Sequence, residues 1–371
     1  MLRLNRILID MDAVRHNYRL MRQSVPHHVQ VMAVVKANAY GHGMLETARA
    51  LEAEGAAHFA VATPDEGIEL RLGGVKGEIL VLGAAMPRAA EDAVAYGLTQ
   101  TVFTPDMVRL IDGCAARLGC MASVHVKLDT GMNRIGLRTP QEAQAVAQAL
   151  QESPHVKQTG LYTHFADADA PLPNGWANEF TLDQMKRFDA LRAYFPKDIC
   201  VHAANSAMSL LQPRVYHDMI REGISLYGYP PVPTELPFRP AMSWETEVVH
   251  VKDLTPGDTV SYGRTFVAQR PMRVATLAVG YGDGYHRMAS GRGEVLIRGC
   301  RAPIVGRVCM DQTMVDVTGI GQVRAGDVAT LLGAQGGERI DACQLADWWG
   351  TIAYEVLLSP SSRVERTYLH L

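Results

Sequence analysis

A lysine that continues an apolar run is the first residue here whose placement asks for chemistry. Met32-Ala-Val-Val precedes Lys36, and Ala-Asn-Ala-Tyr40-Gly-His-Gly follows it. Burying an ammonium among such residues is costly unless it is paired or gives up its proton. A lysine neutralised in this way is a nucleophile able to form a Schiff base. One that snorkels to solvent is only an ordinary strand-end cation. Further along, Asn205-Ser206 and Arg221-Glu-Gly223-Ile224 offer hydroxyl and backbone N–H donors of the kind that hold a phosphate. Lys127, Asp129, Arg134 and His164 add charge and proton-transfer capacity.

The elements that must position these residues are legible between about residues 29 and 225. Short apolar, β-branched runs recur near 30–36, 58–63, 78–82, 99–104, 122–128, 157–164, 199–204 and 218–225. Between most of them lie amphipathic stretches such as MLETARALEAEG and PQEAQAVAQALQES. Pro64 and Pro105 open two of these at the first turn, where a missing N–H costs nothing. Eight strand–helix units in about 200 residues fit a (β/α)8 TIM-type barrel, and the alternation alone also fits an open doubly wound sheet. Active-site groups of such a barrel sit at the C-terminal ends of its strands. Lys36, Lys127, His164, Asn205, Ser206, Arg221, Gly223 and Ile224 all fall at or just beyond those ends. A Schiff-base lysine across the mouth from a phosphate site points to pyridoxal phosphate.

Residues 229–240 (YPPVPTELPFRP) hold five prolines in twelve positions and read as an extended linker. Beyond it the pattern becomes short β-rich runs cut by Gly, Pro and Asp. The division is therefore a barrel domain, 1–238, and a mainly β C-terminal domain, 239–371. A short helix near 341–350 and a strand near 363–369 complete the second. A first strand at 4–12 lies outside the count of eight and could cap the barrel or join the C-terminal sheet.

Several functions are excluded or disfavoured. The net charge of −3 over 371 residues gives no electrostatic case for nucleic acid or an anionic membrane. The longest stretch without Asp, Glu, Lys or Arg, between Asp198 and Arg214, is too short and polar to span a bilayer. No GxGxxG, GxxxxGK[ST], HExxH or GxSxG motif occurs. The six scattered cysteines form no CxxC pair and read as free thiols, with no metal site. The charged N-terminus lacks a signal-peptide core, so the expected compartment is cytoplasmic.

Nine motifs, in order, resemble the alanine racemase family, the fold-type III pyridoxal-phosphate enzymes. They are AVVKANAYGHG (33–43), KLDTGMNRIG (127–136), THF (163–165), HAANSA (202–207), REGISLYG (221–228), VSYG (260–263), VGYGDGY (279–285), GRVCMDQTMVDV (306–317) and TIAYE (351–355). The resemblance implies an isomerase of alanine, or a racemase of broader amino-acid specificity. It also implies a homodimer with shared active sites. Lys36 would carry the cofactor, and Tyr262 would be the second base, supplied to the partner subunit. Tyr40, Ser206, Gly223, Ile224 and Tyr354 would hold the cofactor phosphate, and Asn205 would also bind the cofactor. Arg221 would face the pyridine nitrogen, with His164 beside the ring. Arg134 and the backbone around Met310 would hold the substrate carboxylate, with Tyr281 and Asp311 lining the pocket. Lys127 matches a lysine that is often carbamylated in the family.

The chemistry is consistent with these assignments. Racemisation removes a proton from one face and returns it to the other, so a second base opposite the lysine is useful. A tyrosine, near pKa 10, needs cationic neighbours to serve as a base. Arg134, Arg221 and His164 are the expected suppliers of that field. Two rival readings are a non-catalytic pyridoxal-phosphate-binding barrel and a phosphate-binding barrel without that cofactor. The first predicts no second domain carrying VSYG and GRVCMDQTM, yet both motifs are present.

Overall fold

The structure is a computed structural model that describes residues 5–170 and 178–371. Its described residues form two compact units. One comprises Val14–Ala39 and Met44–Arg239. The other comprises the residues up to Ala13, Tyr40–Gly43 and Pro240–Leu371.

After the first strand, β1 (Asn5–Asp10), come the eight strands of the first unit: β2 (Gln30–Val34), β3 (His58–Val61), β4 (Glu78–Ala84), β5 (Thr99–Val102), β6 (Ala122–Lys127), β7 (Val156–Tyr162), β8 (Cys200–His202) and β9 (Met219–Glu222). Every neighbouring pair is parallel, and β9 returns to β2, so the sheet is a closed barrel rather than an open one. The intervening helices start where local chemistry satisfies their first N–H groups. Thr63 and Glu66 form a reciprocal cap on helix Pro64–Leu72, as Thr139 and Glu142 do on Pro140–Glu152. Proline follows the cap in both, and also in Pro105–Leu118, which ends at Gly119 with φ 66°. Val124, Val126, Leu161, Ile111, Val146 and Phe188 are buried together in one core cluster. Each full burial of this kind contributes about 1.5–3 kcal/mol.

The proline-rich segment forms no regular element. Asn17 pins it from helix Met11–Ser24, donating to Arg239 O at 2.8 Å and accepting from Arg239 N at 2.8 Å.

The second unit is built on a long strand, β10 (Met242–Leu254). It is followed by β11 (Thr259–Val260), β12 (Phe266–Val267), β13 (Met272–Leu277), β14 (Glu294–Ile297), β15 (Cys300–Pro303), β16 (Thr313–Asp316), β17 (Val328–Gln335), β18 (Glu338–Ile340) and β19 (Glu365–Leu369). β10 pairs with β1 and β17 along its first half and with β13 along its second. A bulge between Val248 and His250 interrupts its register with β13. Of the two places open to the first strand, it takes the C-terminal sheet, antiparallel to β10 and parallel to β19. Residue 4, where that strand was expected to begin, lies outside the described residues. Helices Ala342–Trp349 and Ala353–Leu358 lie in the same unit.

Candidate active site

One end of the barrel collects the cations that the strand pattern predicts. Lys36 follows β2. Burial holds its ammonium below the usual lysine range, and the charges of Arg134 and Arg221 add to this against the pull of Glu66. The backbone beyond it is unusual. Ala37, Asn38 and Ala39 have φ 51–53° and ψ 44–54°, and Tyr40 has φ 52°. This is a left-handed turn of non-glycine residues, costing roughly 1–2 kcal/mol for each. Glu66 helps hold it, accepting the Ala37 N–H at 2.7 Å, while Asn38 Oδ1 accepts the Met44 N–H at 2.9 Å.

Arg221 is buried and over-determined. Its guanidinium donates to His202 O at 3.0 Å, Thr163 O at 2.8 Å and Ala203 O at 3.0 Å. It also meets His202 Nδ1 at 2.9 Å and His164 Nδ1 at 3.5 Å. Burial and neighbouring cations, Arg221 first, keep His164 and His202 well below the normal imidazole range. Both rings are neutral near pH 7, so His164 is no source of positive field for a phenolate.

The guanidinium fixes tautomers further into the barrel. It can only donate, so His202 Nδ1 accepts and the ring proton sits on Nε2. That proton points to His125 Nδ1 at 2.9 Å. Burial pushes His125 down to about 4, so it too is neutral and carries its proton on Nε2. Arg221, His202 and His125 thus form a polarised hydrogen-bonded chain. The Tyr162 ring stacks on His202 at 4.8 Å between centroids and takes Lys127 and Arg221 at 5.3 and 5.4 Å from its centroid.

Lys127 is 3% exposed. Its Nζ donates to Leu128 O at 2.6 Å. Burial, with Arg221 and Arg134 outweighing Asp129, lowers it to about 7. Asp129 is committed elsewhere: its carboxylate accepts the N–H groups of Gly131, Asn133 and Arg134 at 2.9–3.0 Å, shaping the loop that carries Arg134. Beyond β8 and β9, the latter adjacent to β2, Ser206 Oγ accepts the Gly223 N–H at 2.9 Å. Asn205 caps helix Ser206–Leu211 by accepting the Met208 N–H at 3.1 Å, and Ile224 heads the turn Ile224–Tyr227.

The second unit holds two further groups. The Tyr40 and Tyr354 rings lie 6.0 Å apart. Gly41 is required there, because a side chain would meet Leu357 O at 2.2 Å. Tyr281 N–H donates to Cys309 O at 3.0 Å and Gly282 N–H to Met310 O at 2.8 Å, tying the Tyr281 and Met310 loops together. Ser261 Oγ donates to Arg307 O at 2.6 Å and lies 3.3 Å from Cys309 Sγ, which brings the Tyr262 loop to the same segment. Asp311 pairs with Arg363 at 2.8 Å. Tyr262 is 69% exposed and Met310 54%.

The site residues expected from sequence thus lie at the barrel end or in these two groups of the second unit. Seven of the eleven described non-glycine residues with positive φ lie beside them: 37–40, Asn133, Ser261 and Arg264. Backbone strain therefore concentrates where Lys36, Arg134 and Tyr262 are held. The sequence reading gives no role to His202, Tyr162 or His125. The available signal was the two-residue alternation that turns positions 125, 127, 162, 202 and 221 toward one barrel interior.

Residues 9–231 match the family described as alanine racemase, N-terminal domain, and residues 241–368 match alanine racemase, C-terminal domain. Among curated relatives, alanine racemase of Symbiobacterium thermophilum is 42% identical, covering 97% of this chain and 96% of its own. That of Halothermothrix orenii is 40% identical over 97% and 95%. A crystal structure of alanine racemase from D-cycloserine-producing Streptomyces lavendulae superposes with TM-score 0.92 at 34% identity, covering 100% of this chain and 98% of that one.

Proposed function

Because the chain belongs to the alanine racemase family of isomerases, we propose that it interconverts L- and D-alanine with two bases, Lys36 and Tyr262, acting on opposite faces of the α-carbon. The observation that carries this reading is the half-buried Lys36 amine, its proton weakened by partial desolvation and two guanidiniums, at the same barrel end as Arg221 and the Ser206–Gly223 pair.

That donor set suits pyridoxal phosphate, the cofactor the family implies. An amine inclined to lose its proton matches an aldehyde, a fixed guanidinium matches a ring nitrogen, and hydroxyl and amide donors match a phosphate. When bound, the cofactor supplies an electron sink for the pair left on the α-carbon. Lys36 would anchor it, with Asn205, Ser206, Gly223, Ile224, Tyr40 and Tyr354 at the phosphate end and His164 beside the ring. Arg221 controls the outcome. A guanidinium donates without readily releasing its proton, so a ring nitrogen facing Arg221 would stay unprotonated. The cofactor would then supply a weaker electron sink, which would disfavour transamination.

Lys36 removes or returns the α-proton on one face at Nζ, and Tyr262 does the same on the other at its hydroxyl oxygen. Arg134 and the backbone at Met310 hold the carboxylate, with Tyr281 and Asp311 lining the pocket. The exposure of Tyr262 and Met310 supports their use by a second subunit in a C2 homodimer with two composite sites. We also propose that Lys127 is carbamylated. Its amine is half-neutral near pH 7, its carboxylate neighbour is occupied, and an ammonium beside Arg134 is repelled. A carbamate would instead accept from the guanidinium and orient it. The reaction needs neither nucleic acid nor membrane, and no described helix is long and apolar enough to cross one.

Lys36→Ala tests the assignment: it is expected to lose racemisation of both enantiomers by several orders of magnitude, together with the borohydride-reducible cofactor adduct. An adduct retained at wild-type stoichiometry rejects Lys36 as the anchor.

A further inference from the structure

Glu222 is completely buried in β9, and the reaction above makes no use of it. Alternation along the strand turns it away from the barrel interior that Arg221 enters. Its nearest polar neighbours are Ser209 and Ser206 of helix Ser206–Leu211 and Ser225 of the turn that follows β9. Yet neither carboxyl oxygen has a well-formed hydrogen bond, and the Ser225 hydroxyl is also buried and unpaired. Ser206 Oγ is taken by the Gly223 N–H at 2.9 Å, and Ser209 Oγ donates to Ser206 O at 3.0 Å. The carboxyl therefore lies beside Ser206, one of the residues assigned to the cofactor phosphate, whose hydroxyl holds the Gly223 N–H.

A buried carboxylate without partners is an expensive species, and a proton is the simplest relief. Burial raises Glu222 to about 7, against the opposing pull of the three serines and Arg221. The charged and titratable groups facing it are Arg221 on its own strand and Tyr216, whose hydroxyl burial and Glu222 together push up. Helix Ser206–Leu211 and the turn contribute only the serine hydroxyls to its surroundings. Bringing a phosphate against the other side of Ser206 adds like charge, which further disfavours the ionised form.

We propose that Glu222 is a positioning residue for the cofactor phosphate: it is protonated in the loaded enzyme, donates its O–H to a neighbouring serine, and takes up its proton from solvent as the phosphate binds. The inference rests on the reading that Ser206, Gly223 and Ile224 hold a phosphate. Its consequence is a binding equilibrium coupled to one proton. Between the titration of Glu222 in the free and the loaded protein, affinity falls as pH rises.

The test uses apoprotein titrated with pyridoxal phosphate from about pH 6 to 9, wild type against Glu222→Gln. Above about pH 7 the wild-type Kd should rise up to about tenfold more per pH unit than that of the variant. Calorimetry in two buffers of different ionisation heat should show additional proton uptake, approaching one, in the wild type only. Parallel pH profiles with equal uptake overturn the proposal. If Glu222→Gln does not fold, wild type alone decides: at about pH 8, above the phosphate's own titration, uptake should accompany pyridoxal phosphate and not pyridoxal. Equal uptake with both overturns it. Failure of the apoprotein to bind pyridoxal phosphate, or unaltered affinity in Ser206→Ala, overturns the phosphate reading and this inference with it. Normal binding weakened by Ser206→Ala, with parallel profiles for Glu222→Gln, removes only the role of Glu222.

Discussion

Adding one methyl group at Gly160 should be felt at Arg221 through two histidines. Gly160 faces His125 across β7 and β6, and a Cβ there would stand 2.5 Å from His125 Nε2 and 2.6 Å from Cδ2 and Cε1. The ring cannot simply swing aside, because its Nδ1 is held 2.9 Å from His202 Nε2, and His202 is held by Arg221. Overpacking of this kind costs about 1–3 kcal/mol. Breaking the link to His202 leaves a buried N–H unsatisfied, worth about another 1–3 kcal/mol. The lost chain entropy of glycine in the unfolded state returns about 0.4–1 kcal/mol. A net destabilisation of about 2–4 kcal/mol is expected for Gly160→Ala by urea unfolding. Gly319→Ala is the control, since nothing lies within 4 Å of its Cβ position. A double-mutant cycle isolates the cause. On a His125→Ala background the ring is gone, and Gly160→Ala should then cost under about 0.5 kcal/mol. Full additivity of the two substitutions, or a Gly160→Ala as stable as the control, would refute the reasoning.

Three other outcomes are expected. Lys127→Ala should lose activity and regain part of it with acetate; carbon-dioxide-depleted wild type, re-equilibrated at a fixed partial pressure of carbon dioxide, should recover more readily as pH rises through about 7, where its amine becomes the neutral nucleophile. A bare amine at Lys127 in the fully active enzyme, by intact mass, rejects the carbamate. Mixing inactive Lys36→Ala and Tyr262→Phe subunits should restore partial activity, because one composite site per mixed dimer is intact; mixed dimers that form without activity exclude shared sites. Glu222 is raised from 4.5 to about 7 in the folded state, so the unfolded chain releases this proton first and stability falls as pH climbs between those values. Glu222→Gln should remove about 3 kcal/mol of that decline in pH-dependent unfolding, and an unchanged slope rejects the shift.

The parts of the fold carried by local pattern were legible in the sequence. The eight β-branched runs correspond to β2–β9, and Pro64 and Pro105 do begin helices. Lys36 was legible as a strand-end lysine in costly surroundings. The left-handed turn after it was not, since Ala-Asn-Ala-Tyr has ordinary right-handed preferences and only tertiary contacts such as Glu66 to Ala37 hold it in the opposite hand. The part played by His202 was not legible, because a histidine's role depends on what the next strand places beside it, here Arg221 at 2.9 Å. The partner of β1 could not be deduced either: its alternating burial suits any sheet with one buried and one more exposed face.

That last placement governs how the protein must be made. β1 sits between β10 and β19 in one sheet, so it waits for residues 242–254 for one edge and for residues 365–369 for the other. At ribosomal speeds of about 5–20 residues per second, the second wait lasts roughly 20–70 s. The barrel strands, all within residues 30–222, can close meanwhile. Throughout that interval Ile7 and Ile9, fully buried in the finished sheet, remain on a strand with unsatisfied backbone. The nascent chain is thus most open to mispairing at its first strand, long after the residues of the barrel have been synthesised.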